Sequence, residues 1–443
     1  MTFLFKYTQG IACMMEVTNQ IKELYKLFLQ NPSVQTDTRK LRSGDLFFAL
    51  SGPNYNGSDF ALKALELGAA YAIIDKDIES DDERIIKVPD SLLALQLLAK
   101  YHRQQLKIPV LAITGSNGKT TTKELVSTVL ATTLITYTTQ GNLNNHIGVP
   151  LTILSIKTDA EIAVIEMGAN HQKEIASYCE YTLPTHALIT NCGKAHLEGF
   201  GGIEGVIKGK GELYDYIRAN GGTVFINWDY KYLQTMSGGI TNLIKYGTVS
   251  ADTIGYLIES NPFLKVGFKN HNELETISTQ LVGEYNVPNV LCAVAVGKYF
   301  GVPNEKIKSG IENYVPTNSR SQLIHKDSNS IILDAYNANP TSMKAAIENF
   351  ASLDGATKVL FIGGMMELGD ESLAEHLSII NLIKKYNWDK VVLVGGDFNK
   401  IVHPFINLTN SLEAKEWFTN QHFTNTHFLI KGSRSMQMEK IIQ

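Results

Sequence analysis

The sequence lacks the features that mark secreted, membrane-spanning and nucleic-acid-binding proteins. Four of its 443 residues are cysteine, without a C-x-x-C pair: Cys13, Cys179, Cys192 and Cys292. We therefore do not expect a fold held together by disulfides. We expect a reducing, cytoplasmic environment. The apolar patch at the N-terminus, Met1 to Met15, is broken by Lys6 and Gln9 and is too short to span a bilayer, so we expect no export signal and no membrane insertion.

A strong charge of either sign is also missing. The chain has 40 basic and 44 acidic residues, for a net charge of -4, which provides no broad field for gathering nucleic acid or anionic membrane. No fixed-period repeats or low-complexity tracts occur. Small anions must therefore be bound locally, and no nucleic-acid partner is expected.

The pattern that is present alternates strands with helices and predicts an α/β fold of three domains. A small N-terminal α/β domain is expected over residues 1–107, a central domain with a mostly parallel sheet over 108–316, and a Rossmann-like α/β domain over 317–443. Pro109 and Pro316 mark the boundaries. The predicted strands are 46–50, 70–75, 110–114, 161–167, 185–191, 223–227, 331–333, 358–363, 390–395 and 427–430, and helices are expected at 60–67 and 91–106.

A candidate phosphate-binding loop follows the predicted strand Val110–Thr114. Residues 113–120 are ITGSNGKT, and a stretch suited to a helix comes next. Its glycines let backbone N–H groups turn toward phosphate oxygens, Lys119 supplies a positive charge, and the Thr120 hydroxyl suits Mg²⁺. A standard P-loop has glycine where this chain has Ile113, but the strand–loop–helix context still indicates that the chain binds a nucleoside triphosphate. The predicted ATP contacts here are Gly115, Ser116, Asn117, Gly118, Lys119, Thr120 and Thr121.

Two further polar residues follow predicted strands. Glu166 ends the apolar run 162–165, at the strand edge where parallel sheets present ligands, and is the predicted Mg²⁺ carboxylate. His196 follows the strand ending near Asn191 and could bind a second ion. From spacing alone, a structural or solvated histidine is the better interpretation.

Many ordered blocks make the chain resemble the Mur ligases of peptidoglycan synthesis, most closely the branch that adds D-alanyl-D-alanine. The blocks are TDTR at 36–39, GDLFFAL at 44–50, TGSNGKT at 114–120, GNLNNHIGVP at 141–150, IEMGA at 165–169, TNCGKAH at 190–196, KGEL at 210–213, YN at 285–286 with Asn289, DAYNANP at 334–340, MELG at 366–369 and KGSRSM at 431–436. The resemblance runs from about residue 34 to the end.

The resemblance implies ATP-driven amide formation through an acyl phosphate. The N-terminal domain would bind the UDP-sugar, the central domain ATP, and the C-terminal domain the incoming dipeptide. The implied substrates are UDP-N-acetylmuramoyl-tripeptide and D-alanyl-D-alanine, and the products are the UDP-pentapeptide, ADP and phosphate. A monomer is expected. The sequence does not distinguish diaminopimelate from lysine at the third peptide position.

The resemblance also implies roles for individual residues. Lys119, Glu166, His196 and Lys210 would be catalytic, and Thr120, Glu166, His196 and Lys210 would hold Mg²⁺. Lys210 matches a lysine that is often carbamylated in similar enzymes, although by itself it would be interpreted as a solvated helix lysine. Further nucleotide contacts would be Asn286, Asn289, Arg320 and Asp334. The substrate contacts would be Thr38, Arg39, Asn142, Asn144, Asn145, Tyr336, Asn337, Asn339 and Arg434.

Several of these residues have a structural alternative. Arg39 could brace Asp37, and the asparagines at 142–145 could form a structured turn. Asn339 could belong to an N-capped turn, Arg320 or Asp334 to a surface ion pair, and Arg434 could pack beside the last helix. Gly364 stands where similar enzymes carry aspartate, so the role of that aspartate must be met in another way.

Three functional hypotheses follow. The first is the D-alanyl-D-alanine-adding ligase. The second is a sister amide ligase of the diaminopimelate-adding or folylpolyglutamate type, against which the blocks at 336–340 and 431–436 argue. The third is a non-catalytic P-loop nucleotide-binding protein, such as a switch or sensor. The presence of Lys119, Glu166 and His196 together argues against that.

Overall fold

The computed structural model describes residues 19–443 except 271, 272, 318 and 356. The apolar patch from Met1 to Met15, and Cys13 within it, lie outside these residues. Helices and strands alternate along the chain, which confirms the predicted α/β class. Among the described helices, none combines the length and the apolar character needed to cross a membrane.

The helices of the described chain are as follows. They are α1 19–30, α2 Ala61–Glu66, α3 Ser91–Gln105, α4 Lys119–Ala131, α5 Gly148–Leu154, α6 Glu174–Thr182, α7 Leu197–Phe200, α8 Ile203–Asn220, α9 Lys231–Met236, α10 Val287–Tyr299, α11 Asn304–Glu312, α12 Pro340–Ser352, α13 Ser372–Ile383 and α14 Ser411–Asn420. Short 3₁₀ turns join several of them.

The strands complete the element order. They are β1 Val34–Gln35, β2 Leu46–Phe48, β3 Tyr71–Ile74, β4 Ile85–Lys87, β5 Val110–Thr114, β6 Thr136–Thr138, β7 Ile162–Glu166, β8 His186–Ile189, β9 Thr223–Asn227, β10 Asn242–Gly247, β11 Thr253–Ser260, β12 Phe263–Asn270, β13 Glu273–Val282, β14 Gln322–Lys326, β15 Asn329–Asp334, β16 Thr357–Gly363, β17 Lys390–Val394, β18 Ile406–Leu408 and β19 Thr426–Lys431. All ten predicted strands are present, and each begins and ends within two residues of its predicted bounds.

The chain divides into two compact units. The first comprises the chain up to Ala112, Ile135–Gly168 and Ala176–Thr185, and the second comprises Ile113–Leu134, Ala169–Ile175 and His186–Gln443. The three predicted domain ranges remain a prediction.

The first unit holds the parallel sheet β1-β2-β3-β4 and the parallel neighbours β7 and β6. The core of the small sheet is formed by Phe47, Ala49, Leu65 and Ile74 with neighbouring alanines. Every residue of β7 is buried. Such continuous apolar runs are typical of parallel strands that are covered on both faces.

The second unit holds two sheets. In one, β8, β9, β10 and β11 are successive neighbours, with parallel pairing from β8 to β11. The strands β11, β12 and β13 continue it as antiparallel neighbours. The prediction of a mostly parallel sheet is confirmed, but this antiparallel extension was not predicted. β11, where the extension begins, is largely exposed, so no continuous apolar run marks it.

The other sheet has the order β14-β15-β19-β16-β17-β18, and it is parallel except where β14 pairs with β15. Its core is formed by buried aliphatic and aromatic side chains, among them Ile331, Phe361, Val392, Phe428 and Ile430. The polar residues discussed below follow the carboxyl ends of β15, β16 and β19, which is where doubly wound sheets present their ligands.

Candidate active site

The phosphate-binding loop, which follows β5 and leads into α4, lies in the second unit. The backbone of Gly118 is left-handed, with φ 78°, and it precedes the first residue of α4. A Cβ atom on Gly118 would lie 2.9 Å from Asn289 Oδ1, and one on Gly115 would lie 2.0 Å from Thr190 Oγ1. Both positions therefore require glycine because of close packing as well as backbone conformation.

The segment after β8 braces this loop. The Ser116 N–H donates to the Asn191 carbonyl (2.9 Å), and the Asn117 N–H donates to Asn191 Oδ1 (3.0 Å). The Thr190 hydroxyl donates to the Asn117 carbonyl at 2.7 Å. These bonds fix the shape of the loop. The amino end of α4, from Gly118 to Thr121, carries the N–H groups of a helix start, which are suited to binding phosphate oxygens.

The side chain of Lys119 folds over the loop. Its Nζ donates to the carbonyl oxygens of Gly115 (2.7 Å) and Ser116 (3.3 Å). The ammonium charge therefore lies at the loop, and contact of Lys119 with the phosphates of ATP remains a prediction. Thr120, the next residue, is 6 % exposed.

Asn286 and Asn289 connect α10 to the loop helix. The Thr122 hydroxyl donates to Asn289 Oδ1 at 3.0 Å, and Asn289 Nδ2 donates to Asn286 Oδ1 at 2.8 Å. Asn286 Nδ2 donates to the Val282 carbonyl at 2.9 Å. Both asparagines are buried, and their hydrogen bonds hold the first turn of α4 against the start of α10. Their contact with the nucleotide remains a prediction.

Glu166 ends β7 in the first unit and is 1 % exposed. Its Oε1 accepts a hydrogen bond from Asn144 Nδ2 at 2.7 Å, and its backbone N–H donates to the Thr139 hydroxyl at 3.0 Å. Its Oε2 is buried and has no hydrogen-bond partner among the described residues. A buried carboxylate oxygen without a donor is unfavourable unless a cation binds it, so Glu166 fits a Mg²⁺ ligand.

His196 lies in a tight turn before α7, and its own backbone is left-handed, with φ 53°. Its Nδ1 lies 2.5 Å from a carboxylate oxygen of Glu367, in the loop after β16. This contact lowers the pKa of Glu367, mainly through the interaction with the imidazole, so the carboxylate is ionised. A carboxylate partner on one ring nitrogen is common among metal-binding histidines.

Lys210, in the middle of α8, is 1 % exposed. Its Nζ donates to the Ala169 carbonyl at 3.2 Å and lies 5.0 Å from the centre of the Phe200 ring. Burial, with a smaller contribution from the charge of Lys119, lowers the pKa of Lys210 to about 7. The interpretation of a solvated helix lysine is therefore wrong, because the side chain is removed from water.

The C-terminal sheet brings Asn339 to the loop. Asn339 caps α12 by accepting from the Ser342 N–H at 2.9 Å, and its Nδ2 donates to Asn117 Oδ1 at 2.7 Å. It is thus both the N-cap that the sequence allowed and a contact of the phosphate-binding loop. The side chain of Asn337 accepts from the Ala338 N–H at 2.8 Å and shapes the same turn.

Asp334 pairs with Lys431, not with Arg320. Lys431 Nζ lies 2.5 Å from Asp334 Oδ2, and the Ser321 N–H donates to Asp334 Oδ1 at 3.1 Å. The Arg320 guanidinium lies 3.6 Å from the centre of the Tyr336 ring, and that of Arg434 lies 5.6 Å from it. Two arginines therefore flank Tyr336, an arrangement suited to a ligand carboxylate.

The substrate residues predicted in the first unit have local partners. The Arg39 side chain, 86 % exposed, donates two hydrogen bonds to Asp37 and the Arg39 N–H donates a third, which together lower the pKa of that carboxyl to about 2. It braces Asp37, the structural alternative, while Thr38 begins the same 3₁₀ turn. Asn145 Oδ1 accepts from two N–H groups at the start of α5. Asn142 lies in the same loop. Contact with the UDP-sugar remains a prediction for these residues.

Comparison with known proteins identifies the family. Residues 32–103 match the model described as Mur ligase family, catalytic domain, residues 113–297 match the Mur ligase middle domain, and residues 319–415 match the Mur ligase glutamate ligase domain. A curated relative from Bacillus subtilis, named UDP-N-acetylmuramoyl-tripeptide--D-alanyl-D-alanine ligase, is 35 % identical over 96 % of each chain. The chain belongs to the Mur ligase family.

Solved structures agree with this assignment. The fold of this Mur ligase is similar to that of MurF from Acinetobacter baumannii, with a TM-score of 0.84 and 32 % identity over 93 % of this chain and 92 % of the other. It is also similar to MurF ligase from Thermotoga maritima in complex with ADP, with a TM-score of 0.82 and 26 % identity over 93 % and 96 %. The predicted family and three-domain α/β fold are confirmed.

Sequence reasoning assigned no role to three residues that shape the site of this Mur ligase. Asn191 braces the loop, Lys431 pairs with Asp334, and Glu367 contacts His196. All three lie in the blocks that carry the resemblance, which was the available signal. Position 364 has no room for a side chain, because a Cβ atom on Gly364 would lie 2.6 Å from the Gly396 backbone.

Proposed function

We propose that this Mur ligase joins D-alanyl-D-alanine to UDP-N-acetylmuramoyl-tripeptide with ATP, releasing ADP and phosphate, in peptidoglycan synthesis. The observation that carries the proposal is the match along 96 % of both chains to a curated ligase of that name. The braced loop at Lys119 supports the use of ATP, as does the ADP complex of the similar Thermotoga maritima enzyme.

The reaction needs ATP because a carboxylate is a poor electrophile. A carboxylate oxygen of the tripeptide attacks the γ-phosphorus, the bond to the β-phosphate oxygen breaks, and ADP leaves. The neutral amine of the dipeptide then attacks the acyl carbon, the carbon–oxygen bond to phosphate breaks, and the amine proton passes to solvent. Positioning and neutralisation of negative charge supply most of the catalysis in such transfers.

The residues of the second unit fit these requirements. Lys119 and the amino end of α4 would bind the β- and γ-phosphates. Thr120 and His196 offer ligands for Mg²⁺ there, and Glu166 offers a buried carboxylate in the first unit. When bound, Mg²⁺ would neutralise phosphate charge. No group of three or more His, Cys, Asp or Glu side chains suited to a metal occurs among the described residues, which is in keeping with an ion whose ligands are partly supplied by ATP.

Lys210 fits a carbamylated ligand because carbamylation requires a neutral amine. With its pKa lowered to about 7, the amine is neutral in a large fraction of molecules near physiological pH. Protein incubated with ¹³C-bicarbonate should therefore show a lysine carbamate NMR signal. Lys210→Ala should abolish the signal and Lys208→Ala, a change at an exposed lysine of the same helix, should not. A silent spectrum for the unmodified protein would refute the carbamate.

Two separate groups of residues would hold the two substrates. Thr38, Arg39, Asn142, Asn144 and Asn145 are proposed for the UDP-sugar and its peptide. Tyr336, Asn337, Asn339 and Arg434 are proposed for the dipeptide, whose carboxylate suits the guanidinium groups beside Tyr336. A cytoplasmic monomer is proposed as well, and sedimentation velocity would test the monomer.

The test is phosphate release with defined acceptors. Release that requires both UDP-N-acetylmuramoyl-tripeptide and D-alanyl-D-alanine is expected, and positional isotope exchange with the tripeptide alone should reveal the acyl phosphate. Release driven by glutamate or diaminopimelate would favour a sister ligase, and ATP binding without turnover would favour a non-catalytic protein. Lys119→Ala should remove nearly all activity while the fold is kept. Near-normal release by that variant would contradict the assigned site.

A further inference from the structure

The turn that carries His196 is held by the loop after β16 through one residue, Glu367. The carboxylate of Glu367 lies 2.5 Å from His196 Nδ1, and the Glu367 carbonyl accepts from the Glu198 N–H at 3.3 Å. A Cβ atom on Gly369 would lie 3.3 Å from the Glu198 side chain. The side chain of Glu367 therefore contacts the residue that precedes α7, and its backbone contacts the second residue of that helix.

Both partners of this contact have unusual backbones. His196 and Glu367 adopt the left-handed region, at φ 53° and φ 63°, although neither is glycine. Such conformations are unfavourable by about 1 kcal/mol or more and persist where the surroundings hold them in place. The two strained residues contact each other, so the surrounding structure holds this contact in place, unlike a chance approach of two exposed side chains.

The contact also determines which ring nitrogen of His196 is available. Nδ1 is buried, and apart from the approach of Glu367 it has no hydrogen-bond partner among the described residues. A carboxylate beside Nδ1 favours a proton on that nitrogen, which leaves the lone pair on Nε2. In metal sites the carboxylate that holds the second ring nitrogen orients the ligand and fixes its tautomer.

We propose that Glu367 is a positioning residue that keeps the His196 proton on Nδ1 and presents Nε2 to the Mg²⁺ bound with ATP. The proposal deepens the proposed function, since it depends on the metal role of His196. It assigns a task in the ATP site to the MELG block, which lies in the loop after β16 of the C-terminal sheet.

A second contact between the same parts of the chain provides the control. Lys194, two residues before His196, pairs with Glu375 of α13 at 2.5 Å. This pair joins the same two segments without contacting the imidazole. If Glu367 merely fastened the segments together, loss of the Glu375 carboxylate would have the same consequences as loss of the Glu367 carboxylate.

The first readout is the tautomer of His196, measured by ¹⁵N NMR of the histidine-labelled full-length protein at pH 8, with His196→Asn assigning the signal. We expect the Nδ1–H form in the unmodified protein, a shift toward Nε2–H in Glu367→Ala, and recovery in Glu367→Gln, whose amide oxygen still accepts. Glu375→Ala should leave the signal unchanged. An unaltered tautomer in Glu367→Ala, or an equal change in Glu375→Ala, would overturn the proposal.

The second readout is Mn²⁺ binding in the presence of ADP, followed by electron paramagnetic resonance. Glu367→Ala should weaken binding roughly 10- to 100-fold, the range found for outer partners of metal ligands, and Glu375→Ala should change it less than twofold. A changed tautomer with unchanged Mn²⁺ affinity would overturn the positioning role. If phosphate release failed in the unmodified protein while both readouts behaved as expected, the proposed function would fall and the hold on His196 would stand.

Discussion

The burial of Lys210 leads to a prediction about how stability depends on pH. The folded protein binds a proton at Lys210 with a pKa of about 7, against the ordinary lysine value of 10.5. Between these two values the unfolded chain holds a proton that the folded chain lacks. The free energy of unfolding therefore rises as the pH rises from 7 to 10.5. Below pH 7 both states hold the proton, so this group makes no further change to stability with pH.

The size of the effect follows from the two pKa values. The full difference corresponds to about 5 kcal/mol, and the part between pH 7 and 9.5 to about 3 kcal/mol, on the order-of-magnitude scale of 1.36 kcal/mol for each pH unit. Lys210→Met keeps an unbranched side chain of similar length in the apolar site. The variant should therefore be more stable than the unmodified protein at pH 7, and its advantage should shrink as the pH rises.

The assay is thermal unfolding of both proteins from pH 6.5 to 9.5 in buffer freed of carbon dioxide, so that no carbamate forms. The difference between their midpoints should fall by several degrees over this range. Lys208→Met, which changes an exposed lysine two residues away, should show no such trend. A midpoint difference for Lys210→Met that stays constant with pH would refute the lowered pKa.

Three further predictions concern the loop and the C-terminal sheet. Gly115→Ala places a methyl group 2.0 Å from the Thr190 hydroxyl and should abolish ADP binding measured by calorimetry. Asn339→Ala removes the N-cap of α12 and should lower the free energy of unfolding by about 1 kcal/mol while reducing phosphate release. Lys431→Met leaves the Asp334 carboxylate, 16 % exposed, without its buried partner and should lower the unfolding free energy by about 3 kcal/mol in denaturant titration.

Each of these changes has a matched control. Gly141→Ala occurs at a left-handed glycine with open space around it, so it should retain ADP binding. Asn410→Ala removes the N-cap of α14 and should cost similar stability without reducing phosphate release. Lys400→Met breaks a surface pair with Asp397 and should cost less than about 1 kcal/mol. Equal effects in a variant and its control would contradict the reasoning for that pair.

The sequence alone supports the α/β class, the strands and the phosphate-binding loop because these depend on local patterns. β5 and β9 have the predicted bounds, since continuous apolar runs between turn residues specify buried strands. The ordered blocks likewise support the family, which the comparisons confirm. The antiparallel extension formed by β11 to β13 was missed because β11, the strand with which it begins, is largely exposed and carries no such run.

Only the tertiary structure decided which distant residues meet and which side chains lose contact with water. Asn117 and Asn339 are 222 positions apart, and no local pattern brings them together. Lys210 has the spacing of an ordinary helix lysine, and only the packing around α8 removes it from water and lowers its pKa. Contacts and burial of this kind arise from the fold as a whole, because they depend on how separate elements pack and not on the residues beside them in the chain.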